Sequence, residues 1–297
     1  MRTLILGAGY TGERLGTILV DKGWNVLGTR TDPDERQRSS FAGSLRAYRL
    51  GEDNFSSLLE DASWDEGPEF SLVFTAGPPR EKPIERSLET LETFVESLPR
   101  NRLHNFVYLG STSVYGDCDG AWVDETDEID PISSSGRLKA RSEQLLRDRL
   151  EPDVPVIILR PGGIYGPGRN AGERYLSDDY ELVGGGRKWT NRIHVRDLAR
   201  ICARSCEIDY SETINAVDGN PVRLRELVEF LYEQAGKDPE TIKDISWEEA
   251  EQKYSEMKLG LLKTSKRVSA DKLREEYNFE FTYPSVYDGL KELMSDT

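Results

Sequence analysis

Gly7, Gly9 and Gly12 follow the spacing Gly-x-Gly-x-x-Gly, and the chemistry open to such a spacing is the holding of a diphosphate. Thr3 to Leu6 form a short apolar β-run before the glycines, and the segment GERLGTILVDKG places Leu15, Ile18 and Leu19 at helical spacing after them. In such a unit Gly7 permits the tight turn, Gly9 lets the backbone reach a pyrophosphate, and Gly12 allows helix to pack on sheet, while the helix N-terminus meets the phosphate charge. Tyr10 and Thr11 lie within the same turn and belong to the candidate cofactor-binding set. A second strand, Trp24 to Thr29, completes the unit and favours a dinucleotide site over an ordinary structural turn. At its end stands Arg30, with Arg36 and Arg38 just beyond, where an arginine accommodates a ribose 2′-phosphate and an acid bonds the ribose hydroxyls. Arg30 favours NADP, and Asp32, two residues further on, leaves NAD open.

The remaining elements must present these groups from a sheet. Apolar runs recur at Leu72 to Thr75, Phe106 to Leu109 and Val156 to Leu159, separated by helical patterns at Ile84 to Leu98 and Arg137 to Leu150. Strands and helices alternating at this length predict an α/β fold, a doubly wound parallel sheet of the NAD(P)-binding Rossmann kind, with cofactors at the carboxyl ends of the strands. Ala76 and Gly77, in the segment Ala76-Gly-Pro-Pro79 after one such strand, are candidates to line the cofactor; an ordinary proline turn is the equal alternative. Beyond Gly168 the periodicity weakens into helical stretches at Arg223 to Gln234 and Trp247 to Met257. The expected division is a Rossmann core over 1–168, completed by 192–217, with a smaller C-terminal substrate lobe from 169–191 and 218–297.

Charge and composition narrow the partners. Acidic residues outnumber basic ones 54 to 39, the net charge is −15, and the acids are spread along the chain. That argues against nucleic acid and against anionic membranes. The chain opens directly on an apolar strand pattern, and no segment approaches the ~20 apolar residues of a membrane span. Cys118, Cys202 and Cys206 fit neither a disulfide framework nor a zinc site, and Cys202 and Cys206, one helical turn apart, fit a buried face. A reduced, cytoplasmic, metal-free protein with a small-molecule substrate is the expectation.

In order along the chain, GAGYTG, STSVYG, the KARSE helix, LRPGGIYGPGR, NRIHVRDLA, INAVDGNPV and KRVSADKLR with YPSVYDGL resemble the extended short-chain dehydrogenases, the family of UDP-galactose epimerase and the sugar-nucleotide dehydratases and reductases. The likeness is strongest to an atypical, epimerase/dehydratase-like branch. In the family a Tyr four residues before a Lys exchanges a proton with the substrate. Here the Lys is Lys139 and the position four before it is Ser135, whose aliphatic hydroxyl is a far weaker acid than a phenol near pKa ~10. The resemblance assigns the substrate-bonding hydroxyl to Ser111 and ribose binding to Lys139. It sets Thr112 and Ser113 where dehydratases carry an Asp-Glu pair, which disfavours sugar dehydration. It also assigns Pro161 and Gly162 to the cofactor loop, and Ser113, Tyr165 and Arg192 to the substrate side. Ser135 has a capping role open to it together with Ser133 and Ser134. Tyr115, Tyr165 and His194 have structural readings stronger than catalytic ones.

Two functions of different class follow. One is an NAD(P)-dependent oxidoreductase or epimerase acting on a hydroxyl or carbonyl of a nucleotide sugar or similar polar metabolite. Its proton comes from water held by Lys139 or from a nearby tyrosine. The other is a catalytically silent NADP(H)-binding sensor or scaffold. An isomerase that returns a retained cofactor to its starting state is a third. The resemblance also implies a homodimer through the helices near 84–98 and 137–150, whose many charges leave a monomer open.

Overall fold

Short apolar runs joined by amphipathic helices give a seven-stranded sheet in the computed structural model, which describes residues 1–64, 66–77, 83–169, 172, 175–177 and 179–295. Its strands are β1 (Arg2–Leu6), β2 (Asn25–Arg30), β3 (Ser44–Ala47), β4 (Phe70–Phe74), β5 (Leu103–Leu109), β6 (Val156–Pro161) and β7 (Glu212–Ala216). They lie in the order β7-β6-β5-β4-β1-β2-β3, and the pairings from β6 across to β3 are all parallel. This is the doubly wound α/β fold. Strands covered by helices on both faces are apolar at nearly every position, as in β4 and β6, where every residue is buried.

The chain divides into two compact units, one of Met1–Ser111, Leu138–Arg160 and Leu198–Ile214, the other of Thr112–Arg137, Pro161–Asp197 and Asn215–Thr297. The first unit has a core in which Phe74 stacks on Phe94 and Tyr108, with ring centroids 5.8 and 6.0 Å apart. Cys202 and Cys206 of the same unit are both buried, and burial pushes both thiols up from their ordinary range. The second unit has its own core, built from Leu182, Leu227, Leu231, Val286 and Leu290. Helices Leu224–Gln234 and Val286–Ser295 supply most of these side chains.

Several boundaries differ from the sequence expectation. The apolar pattern from Trp247 is two helices, Trp247–Lys253 and Glu256–Lys263, because the Ser255 hydroxyl accepts from Lys258 N at 3.4 Å and starts a new one. The edge strand β3 carries one buried residue, Leu45, and leaves no apolar run to read. Among the described residues no helix is long and apolar enough to cross a membrane.

Candidate active site

In the first unit the three glycines separate by role. Gly7 has φ +101°, and a Cβ there would stand 2.7 Å from Ala76 N; one on Gly12 would stand 2.7 Å from Gly7 O and 3.0 Å from Ile5 Cγ2. Both are closed in by protein. At Gly9 the nearest atom to such a Cβ is Gly7 O at 3.9 Å, so the turn is open at that position. Gly9 is also the N-cap of helix Tyr10–Asp21 and makes no side-chain cap, which leaves the first-turn N–H groups for an anion. The turn is fixed from both sides: Ala8 N donates to Thr29 O at 2.7 Å, and the Thr75 hydroxyl donates to Gly7 O at 2.6 Å. Thr11 is buried and Tyr10 half-buried beside it. A cradle open only at its middle glycine fits a dinucleotide diphosphate.

Arg30 folds back on this turn. Its Nε donates to Ala8 O at 2.6 Å, and its Nη2 pairs with the carboxylate of Glu13 in the first turn of the helix. Asp32 is exposed. At the end of β4, Ala76 N donates to Leu6 O at 3.0 Å, and Gly77, with φ +72°, would bring a Cβ within 3.1 Å of Lys139 Nζ. Pro78 and Pro79 of the predicted lining lie outside the described residues.

Lys139 sits on the helix Ser134–Leu150. Its Nζ donates to the carbonyl of Leu109 at 3.0 Å and stands 5.0 Å from the ring centroid of Tyr108. Leu109 ends β5, and half-buried Ser111 follows two residues later. The first unit therefore gathers the glycine turn, Ala76, Gly77, Ser111 and Lys139 at the carboxyl ends of β1, β4 and β5. Behind Ser111 lies a pair that the sequence does not announce. Arg160 Nη2 and Glu143 Oε2 meet at 2.8 Å with both residues buried, and a Cβ on Gly110 would touch Glu143 Oε1 at 2.9 Å. Burial raises the Glu143 carboxyl above its ordinary range, and the Arg160 hydrogen bonds and charge oppose that rise.

The second unit holds the other candidates. Ser135 stands one turn before Lys139 on its helix and is exposed, while the helix cap is Ser133, whose hydroxyl accepts from Gly136 N at 3.0 Å. Half-buried Ser113 directs its carbonyl to within 2.8 Å of where a Cβ on Gly136 would be. Pro161 O accepts from the Thr112 hydroxyl at 3.3 Å, and Gly162 N donates to Ala216 O at 3.2 Å. The tyrosines are committed: Tyr115 donates to Asn215 Oδ1 at 2.8 Å and Tyr165 to Ser285 O at 3.3 Å, and burial drives the Tyr165 hydroxyl far above its usual range. Arg192 Nη2 donates to the Tyr175 hydroxyl at 2.6 Å. His194 is buried, its ring 3.8 Å from that of Tyr283, and its Nδ1 accepts from Arg196 N.

Two features of this unit escape sequence reading. Asp218 is 1% exposed, and burial pushes its carboxyl up to about 7. A cleft of about 630 Å³ is lined by Arg187, Lys188, Arg223, Lys263, Trp189 and Trp247, with Asp119 the single carboxylate among its described lining residues. Burial, together with the charges of Lys266 and Arg192, lowers the Lys188 ammonium to about 8. The run GGGRKW was the available signal for this cleft.

The parallel sheet and the glycine turn define a dinucleotide-binding Rossmann fold, and the chain belongs to the NAD dependent epimerase/dehydratase family, which it matches over residues 3–216. Among individual proteins it is 30% identical over 206 residues to Protein YeeZ of Escherichia coli K12, a match covering 66% of this chain and 70% of that one. It is 27% identical over 186 residues to the Uncharacterized UDP-glucose epimerase YtcB of Bacillus subtilis, covering 56% and 58% of the two chains. A functionally unknown conserved protein from Silicibacter pomeroyi superposes with a TM-score of 0.82 at 26% identity, over 100% and 99% of the chains. The UDP-glucose 4-epimerase of Thermotoga maritima shares the fold with a TM-score of 0.79 at 18% identity, over 99% and 98%.

Proposed function

We propose that the protein is an NAD(P)-dependent oxidoreductase or epimerase acting on a hydroxyl or carbonyl of a nucleotide sugar or similar polar metabolite, with NADP accepted through Arg30. The observation that carries this reading is the glycine turn that is sterically closed at Gly7 and Gly12 and open at Gly9, beside a Lys139 held at the end of β5. A bound dinucleotide would supply hydride acceptance and donation. Ser111 would orient the substrate oxygen by hydrogen bonding, and Lys139 would bind ribose and hold a water as proton carrier in place of the missing phenol. The second unit, taken by itself, carries a cationic cleft suited to an anionic ligand in a chain of net charge −15. Solved relatives of the same fold have been captured with UDP-glucose, one together with NAD.

Ser135 supports a second reading, a silent NADP(H)-binding protein, because positioned acid–base groups typically contribute ~10²–10⁴-fold to the chemical step. The test is a fluorescence titration with NADPH and NADH followed by turnover on nucleotide sugars by the wild type and Ser135→Tyr. Tight binding and faster turnover by the variant are expected. Binding without turnover in either protein would leave the silent reading, and no binding would remove both.

A further inference from the structure

Arg30 reaches the dinucleotide turn already partnered. Its side chain is 23% exposed, and its two hydrogen bonds among the described residues run to Ala8 O and to the carboxylate of Glu13. Three of its five N–H donors remain, but its charge is neutralised. Glu13 lies in the first turn of the helix whose N-terminus faces the cradle, where a carboxylate is stabilised by the helix dipole. The other cations of the segment do not substitute for Arg30. Arg38 is turned onto Pro33 O and Leu45 O, and Arg36 is exposed on the helix Glu35–Ser40.

We infer that Glu13 is a specificity-determining residue which sets the choice between the two nicotinamide dinucleotides by holding Arg30 in a neutral pair. The inference rests on the dinucleotide reading above. A ribose 2′-phosphate carries close to two negative charges, so bringing it to the remaining donors of Arg30 also brings it against the Glu13 carboxylate, whose repulsion offsets the attraction of the guanidinium. A ribose with both hydroxyls free presents no charge and meets no such repulsion. Wild-type protein then discriminates weakly, with the arginine that recognises the phosphate restrained by the acid beside it. Glu13 acts here through Arg30, as a positioning residue for its guanidinium.

The experiment measures affinity, not turnover. Wild type, Glu13→Gln, Arg30→Ala and the double variant are titrated with NADPH and NADH by tryptophan fluorescence, and with 2′,5′-ADP and 5′-AMP by calorimetry. Removing the carboxylate charge is expected to tighten NADPH and 2′,5′-ADP on the order of tenfold. NADH and 5′-AMP should stay within about twofold, since neither carries the 2′-phosphate. The gain should vanish in the double variant, because it runs through Arg30. A Glu13→Gln protein whose affinities for the phosphorylated and unphosphorylated ligands move together, or not at all, would overturn the inference and reduce Glu13 to a helix-start residue. Failure of the wild type to bind any of the four ligands would instead overturn the dinucleotide reading, and the inference with it.

Discussion

Replacing Glu143 by Gln leaves a guanidinium in the protein interior without its counter-charge. Arg160 and Glu143 are 7% and 4% exposed, and their contact is two-pronged, Nη2 to Oε2 at 2.8 Å and Nε to Oε2 at 3.2 Å. Breaking one side of such a buried pair typically costs about 3–5 kcal/mol, because the remaining charge cannot recover its hydration. An exposed pair such as Lys22 with Glu207, by contrast, is worth only ~0.2–1 kcal/mol. With a urea dependence near 2–3 kcal/mol/M, the upper part of the usual range, the Glu143→Gln midpoint should fall by roughly 1–2.5 M. Lys22→Ala should hardly move it. The double variant Glu143→Leu with Arg160→Met removes both charges and should recover most of the loss, since apolar replacements of a buried pair are often neutral. The assay is urea unfolding followed by far-UV circular dichroism. A Glu143→Gln midpoint within about 0.3 M of wild type would refute the reasoning, because loss of the Glu143 charge would then cost the buried guanidinium little. The pair also backs Gly110, next to Ser111, so the single variant should lose dinucleotide affinity along with stability.

Two further outcomes follow from the same geometry. Burial raises the Asp218 carboxyl from 3.8 to about 7 in the folded protein, so the native state keeps a proton that the unfolded chain releases. The resulting stabilisation is complete below the unfolded pKa and is lost as pH rises through about 7, a change of up to about 4 kcal/mol; Asp218→Asn should flatten unfolding free energy against pH over that window, and an unchanged slope would assign it elsewhere. Gly12→Ala drives a Cβ against Gly7 O, which the Thr75 hydroxyl holds, and against Ile5 Cγ2 of β1, and should cost ~1–3 kcal/mol and abolish NADPH binding. Gly260→Ala is its control: nothing lies within 4 Å of that Cβ, so its unfolding midpoint should hold or rise; equal effects of the two substitutions would remove the steric account.

What the sequence made legible was geometry contained within one element or one turn. β1, the glycine turn and the helix after it follow from an apolar run, three glycines and a 3.6-residue period, and all are local. Lys139 was placed by the family resemblance, through a frame of residues that lies within one helix and the turn before it. Where local hydrogen bonding competes with periodicity, reading failed: the pattern from Trp247 continues through Ser255, yet the Ser255 hydroxyl starts a new helix. β3 failed for the opposite reason, since an edge strand of four residues with one buried side chain has almost no pattern to offer.

The candidate site divides along the same line. Position at the end of a strand marked Arg30, and the family resemblance marked Arg192, as cations available to a ligand, and in the folded chain each already has a partner, Glu13 in one case and the Tyr175 hydroxyl in the other. Those partners stand 17 residues away in each case, on other elements, so no local spacing encodes the pairing. Whole-chain charge misleads in the same way. A net −15 bears on nucleic acid and membrane surfaces, because such partners sense the summed field over the surface. It says nothing of a cleft in which Arg187, Lys188, Arg223 and Lys263 outnumber one aspartate, since those cations come from segments far apart in the chain. Screening limits each charge to about 8–10 Å in physiological salt, so a bound anion responds to that cleft and not to the chain's average.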